Sequence, residues 1–147
     1  MVGRSKRYAL ADSAQQMVGG FLLAGPFVVT EEVWVLASHM RWVHVLLTVG
    51  IVFAIGYGAL YKADDGRDPD GEAEVGGVPV RFVSLMVVAF GSVLVLAVAF
   101  TAPSTFAGAV DGVADSSPAA VAVLTMKATS VGAIFSVVGA ATADSVF

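Results

Sequence analysis

Three charged residues fall inside the apolar stretches of this 147-residue chain: Glu31 and Glu32, adjacent in GPFVVTEEVW, and Lys127 in VLTMKATS. Two carboxylates and an amine in a low-dielectric setting support two chemistries. They can pass a proton or cation along a route, or they can form an ion pair that fixes helix register. A charge near a bilayer centre costs at least about 2.5–3.5 kcal/mol, so those that persist there pair or line a wet cavity. One lysine compensates one carboxylate; the other must hold a proton, accept hydrogen bonds or face water. Adjacent helix positions differ by about 100°, so the two glutamates occupy different surroundings.

The remaining reactive residue types exclude more than they offer. There is no cysteine, hence no disulfide, thiolate nucleophile or cysteine metal site. His39 and His44 are five apart, which suits neither a zinc helix motif nor a same-face pair, so interfacial histidines are expected and no metal or cofactor is assigned. The stretch DDGRDPDGEAE resembles a calcium loop only in acidity. With Gly71 as the loop glycine, ligand positions one and twelve fall on Gly66 and Gly77, which have no side-chain oxygen. It reads as a solvated linker. Asp111 and Asp115, four apart, read as solvated too. No serine–histidine or two-histidine pattern supports catalysis.

The elements that must position the three charges follow from composition. The chain is 57% hydrophobic and 14% charged, with a mean hydropathy of +0.84; soluble domains are about 45–50% apolar and about 25% charged. Four apolar segments, roughly 14–37, 42–61, 82–102 and 119–143, are each long enough to cross a hydrocarbon core of about 30 Å as a helix. The expected fold is therefore an all-α integral membrane bundle of four transmembrane helices in a single domain, residues 1–147. The basic start and VLA at Val35–Ala37 loosely resemble a secretory signal, but Glu31, Glu32 and Trp34 crowd the region before the supposed cut, so a retained span is expected. Arg4, Lys6 and Arg7 precede the first segment, and Lys62, Arg67 and Arg81 flank the acidic loop 62–81. The outer loop 103–118 has no Lys or Arg, and Arg41 is alone in the first connection. By the positive-inside rule both termini are cytoplasmic, with Trp34 and Trp42 at the outer boundary and Tyr57 and Tyr61 near the inner one. Ser117 is expected to cap the fourth helix, with Pro118 in its first turn.

At about 1.5 Å per residue, the glutamates lie about 8–9 Å and Lys127 about 12 Å below the outer boundary. Pro26 should kink the first span, and the Thr30 hydroxyl can bond back to the Pro26 carbonyl. Thr125, Thr129, Gly132, Ser136 and Ala140 form a small-residue stripe on the fourth segment. With Gly20 and Ala24 on the first, it suggests homo-oligomer contacts. The third segment, interrupted only by Ser84, Gly91 and Ser92, is expected to face lipid most.

Pro26, Thr30, Glu32 and Trp34 together resemble the first-span pattern of a haloarchaeal integral membrane family of unknown function. That resemblance implies a multi-span membrane protein and favours Glu32 over Glu31 as the more constrained acid; the acidic loop suits a salt-rich cytoplasm. The expected role is a structural or accessory subunit of the cell membrane, multi-pass, with the lipid bilayer and a homo-oligomer or larger complex as partners. The alternative is a proton or cation channel or transporter using Glu31, Glu32 and Lys127. Nucleic acid is excluded, because no basic face is available.

Overall fold

The computed structural model describes residues 10–62, 74–75, 78–108, 110 and 117–146. Residues 1–9, the acidic stretch 63–73 and residues 111–116 lie outside them, and with these the basic start, most of the acidic loop, Asp111 and Asp115. Six helices are present among the described residues: α1 (Leu10–Val28), α2 (Glu31–Ser38), α3 (Trp42–Tyr57), α4 (Val80–Ala99), α5 (Ala102–Ala107) and α6 (Pro118–Val146). A π-helical turn, Gly58–Lys62, extends α3. Before α4, β1 (Glu74–Val75) and β2 (Val78–Pro79) form a short antiparallel ladder, Glu74 opposite Pro79 and Val75 opposite Val78.

Apart from that ladder the fold of the described residues is helical, as expected, and three stretches among them are long and apolar enough to cross a membrane: Trp42–Tyr61, Val80–Ala99 and Pro118–Asp144. The fourth expected segment, 14–37, differs. It is two helices, with α2 bent 79° from α1, and only the pair taken together is long and apolar enough for a crossing. Pro26 sits inside α1 without ending it. The chain turns three residues later, at Val29 and Thr30, just before the two carboxylates. Ser117 opens α6 as expected: its carbonyl accepts from the Ala120 and Val121 amides at 3.0 and 3.3 Å, and Pro118 is the first helical residue.

The core is a three-helix arrangement. α1 lies along both α6 and α4, and α3 rests mainly on α6. Contacts fix the directions: Gln16 meets Ser84, Gly20 meets Ser136, and Phe27 stacks on Phe135 at 3.7 Å. So α1 and α4 run together, and α6 runs against them. At Gly19 and Gly139 the backbones of α1 and α6 touch. A Cβ on either glycine would overlap the other's carbonyl oxygen, so only glycine permits this approach.

The expectation about lipid exposure is corrected here. The most apolar part of α3 is 17% buried within the chain, that of α4 33% and that of α6 44%. α3, not α4, faces outward most. The few polar residues of α4 explain this: Ser84 and Ser92 are not interruptions of a lipid face but contacts to α1, which holds α4 in the middle. The small-residue stripe of α6 is likewise used inside one chain. Thr125, Thr129, Gly132, Ser136 and Ala140 are all buried, as are Gly20 and Ala24. Those faces are occupied before any second copy arrives.

Candidate functional site

The bend between α1 and α2 is closed by its own side chains. Thr30 is extended (φ −104°, ψ 131°), and its hydroxyl donates to the Phe27 carbonyl at 2.9 Å, one residue beyond the Pro26 carbonyl expected from the sequence. The Trp34 indole N–H donates to the Val28 carbonyl at 3.0 Å. Both partners are carbonyls in the last turn of α1, where a helix leaves acceptors without intrahelical donors. Trp34 is fully buried and stacks against Phe106 of α5 at 5.7 Å. Its cluster includes Ala37, Ala97, Ala102 and Leu124, so α2 and α5 cap this end of the bundle.

Glu31 and Glu32 open α2 and are both exposed. There the positive end of the helix dipole favours carboxylates. With Val35, Leu36 and His39 they line a surface cleft of about 350 Å³. His39 Nδ1 donates to the Val35 carbonyl at 2.9 Å, whereas His44 Nδ1 accepts from the Arg41 amide at 3.0 Å. The two rings hold opposite tautomeric roles at separate helix ends.

Lys127 is not with the glutamates. Among the described residues neither carboxylate forms an ion pair or hydrogen bond with it. Its Nζ lies over the Trp42 ring, 5.6 Å from the centroid. Ser130 donates to the Lys127 backbone carbonyl at 2.7 Å rather than approaching the amine. Two physical reasons separate the predicted partners. The 79° bend carries α2 across the end of the bundle instead of down its interior. The register of α6 also places Lys127 higher than the loop boundary suggested. Arg81 and Asp144 are level because they touch, and at about 1.5 Å per residue Ala99 is about 27 Å along α4 from that level. The same rise along α6 reaches Met126, so Lys127 stands where α4 ends. Pro118–Val123 project beyond that point.

Among the described residues a buried ion pair lies elsewhere. Arg81 donates to Asp144 at 2.7 Å, with their side chains 9% and 0% exposed. Beside it, the Ser84 hydroxyl donates to Gln16 Oε1 at 2.7 Å and lies 3.0 Å from the Ser13 hydroxyl. Farther along, Ser136 donates to the Gly20 carbonyl at 3.3 Å. Among the described residues, Gln16 Nε2 in α1 and Thr129 Oγ1 in α6 are buried without a hydrogen-bond partner. Sequence reasoning treated Arg81 as a loop flank and stopped the fourth segment at 143, one residue short of Asp144. The available signal was a matched pair: one basic residue opening the third segment, one acid closing the fourth. Among the described residues, no group of three or more His, Asp or Glu is placed to hold a metal ion. No protein-family model, curated protein or solved structure matches the chain.

Proposed function

We propose that this chain crosses the cell membrane four times, with α1 and α2 as one bent crossing and both termini cytoplasmic, and that it serves as a structural or accessory membrane subunit. The crossing count is supported by α1 lying between α4 and α6 along its length, which puts it at their depth. The sidedness rests on the sequence, in which Arg4, Lys6 and Arg7 precede α1 and Lys62, Arg67 and Arg81 flank the loop before α4. The observation that carries the accessory role is the division of polar groups. Inside the bundle they join helices to one another, as Arg81–Asp144 and Gln16–Ser84 do. The charges a route would need stand apart at the rim, Glu31 and Glu32 exposed and Lys127 over Trp42. Polar side chains between membrane helices commonly act as such glue.

A proton or cation route is the second reading, and one observation favours it: the buried, partnerless Gln16 and Thr129 atoms. Reconstitution into liposomes holding a pH-sensitive dye separates the two. The accessory reading expects the same leak with and without protein. A protein-dependent flux abolished by Glu32→Gln would return the role to the carboxylates. A flux abolished by Gln16→Met but not by Glu32→Gln would place it at Gln16. Topology is checked with Ser5→Cys, Asp70→Cys and Asp111→Cys and an impermeant thiol reagent. Only Asp111→Cys should label from outside; labelling of Asp70→Cys there would overturn the orientation.

A further inference from the structure

Lys127 lies over the ring of Trp42 at the rim of the bundle, with exposed Arg41 next to Trp42 in the chain, and the geometry points to a binding site there for the phosphodiester of an anionic lipid. This inference rests on the membrane-crossing reading above. Lys127 comes from α6, whereas Arg41 is the residue before α3, so two elements bring a cation to the same tryptophan. Among the described residues neither cation has an acidic partner; the ion pair there joins Arg81 to Asp144.

Depth selects the ligand. Lys127 is level with the end of α4, the depth at which a crossing helix leaves the hydrocarbon and meets phosphates. An exposed tryptophan at that level has its apolar ring in the acyl boundary and its N–H in the headgroup layer. Trp42 is 53% exposed. Leu46 follows it by one turn on the same face and is 72% exposed, with Leu47 at 62%. A phosphate held by Lys127 and Arg41 would thus have its acyl chains along an apolar strip already open to them. A soluble phosphate would gain nothing from Leu46 or Leu47. Glu31 and Glu32, by contrast, open a different helix and, among the described residues, form no ion pair with either cation.

The two tryptophans supply the test. Trp42 is exposed and Trp34 fully buried, so a bromine atom on a lipid chain quenches chiefly Trp42. The protein is reconstituted in phosphatidylcholine vesicles containing a minor fraction of either brominated phosphatidylglycerol or brominated phosphatidylcholine. Each basic residue near a membrane surface enriches anionic lipid by roughly fivefold. Brominated phosphatidylglycerol should therefore quench several-fold more than brominated phosphatidylcholine at equal fraction. Lys127→Gln with Arg41→Gln should remove that excess while leaving quenching by brominated phosphatidylcholine unchanged, and Lys127→Arg should keep it. Equal quenching by both lipids, or an excess indifferent to the substitutions, overturns the site. Emission from Trp42 that responds to soluble glycerol phosphate as fully as to the lipid makes the ligand a free anion and overturns the lipid assignment. Absence of quenching by either lipid removes the membrane-crossing reading, and the site with it.

Discussion

The two ends of the bundle treat charge in opposite ways. At the Arg81 end an arginine and an aspartate are withdrawn from solvent and meet at 2.7 Å, flanked by a Ser13–Ser84–Gln16 cluster. At the Trp34 end two glutamates are exposed and a half-buried lysine rests over Trp42, although all three look more deeply buried in the sequence. A charge embedded in an apolar stretch of sequence is therefore not a charge buried in the bundle. What decides is where packing puts it. Arg81 opens α4 and Asp144 lies near the end of α6, where both are buried and meet. The bend before Glu31 leaves both carboxylates exposed, with no need of a partner.

The sharpest way to break this contrast is to remove one member of the buried pair. Arg81→Met leaves Asp144 in the core and should destabilise the protein by about 3–5 kcal/mol, whereas Arg81→Met with Asp144→Leu should recover most of that loss. Unfolding in mild detergent measures both; a double substitution as damaging as the single one would show that the two residues are not energetically coupled. Next in size is the backbone contact that aligns the ends. Gly19→Ala places a methyl group against the Gly139 carbonyl, and forced repacking of this kind costs about 1–3 kcal/mol. The same method reads it, and an unchanged midpoint would mean that α1 and α6 do not touch there. The smallest effect belongs to the outer end. Lys127→Met loses the cation–π contact of a half-buried lysine with an exposed ring, about 0.5–1 kcal/mol. Its loss should add to those of Glu31→Gln and Glu32→Gln within about 0.3–0.5 kcal/mol. Coupling larger than that would bring the glutamates and Lys127 back together.

Much of the helical architecture was legible because length and apolarity are local properties. Segments 42–61, 82–102 and 119–143 correspond to α3 with its π-helical turn, α4 and α6, within a few residues at each end. The break in the first segment was half legible. Pro26 marks the neighbourhood, but the turn is set by Thr30 and by a Trp34 indole reaching back six residues to Val28, which propensity does not report. The candidate cluster was illegible in its pairing because equal depth says nothing about azimuth. Glu32 and Lys127 fall near one level, yet Lys127 rests over Trp42 and Glu32 lines a cleft with Val35, Leu36 and His39. The Arg81–Asp144 pair, 63 residues apart in sequence, depends on the register of α6 against α4. That register is fixed by glycine and serine contacts with α1, and no single segment encodes it.

The backbone contact of Gly19 with Gly139 also has a temporal meaning. About 120 residues separate the two glycines, on the order of ten seconds of synthesis at ribosomal rates. During that interval α1 has entered its environment without the helix it packs against most closely, and Gln16 has no Ser84 until α4 emerges. α1 by itself does not meet the length and apolarity that α3, α4 and α6 meet. α1 is thus made long before its closest partner, and its packing is complete only when α6 arrives.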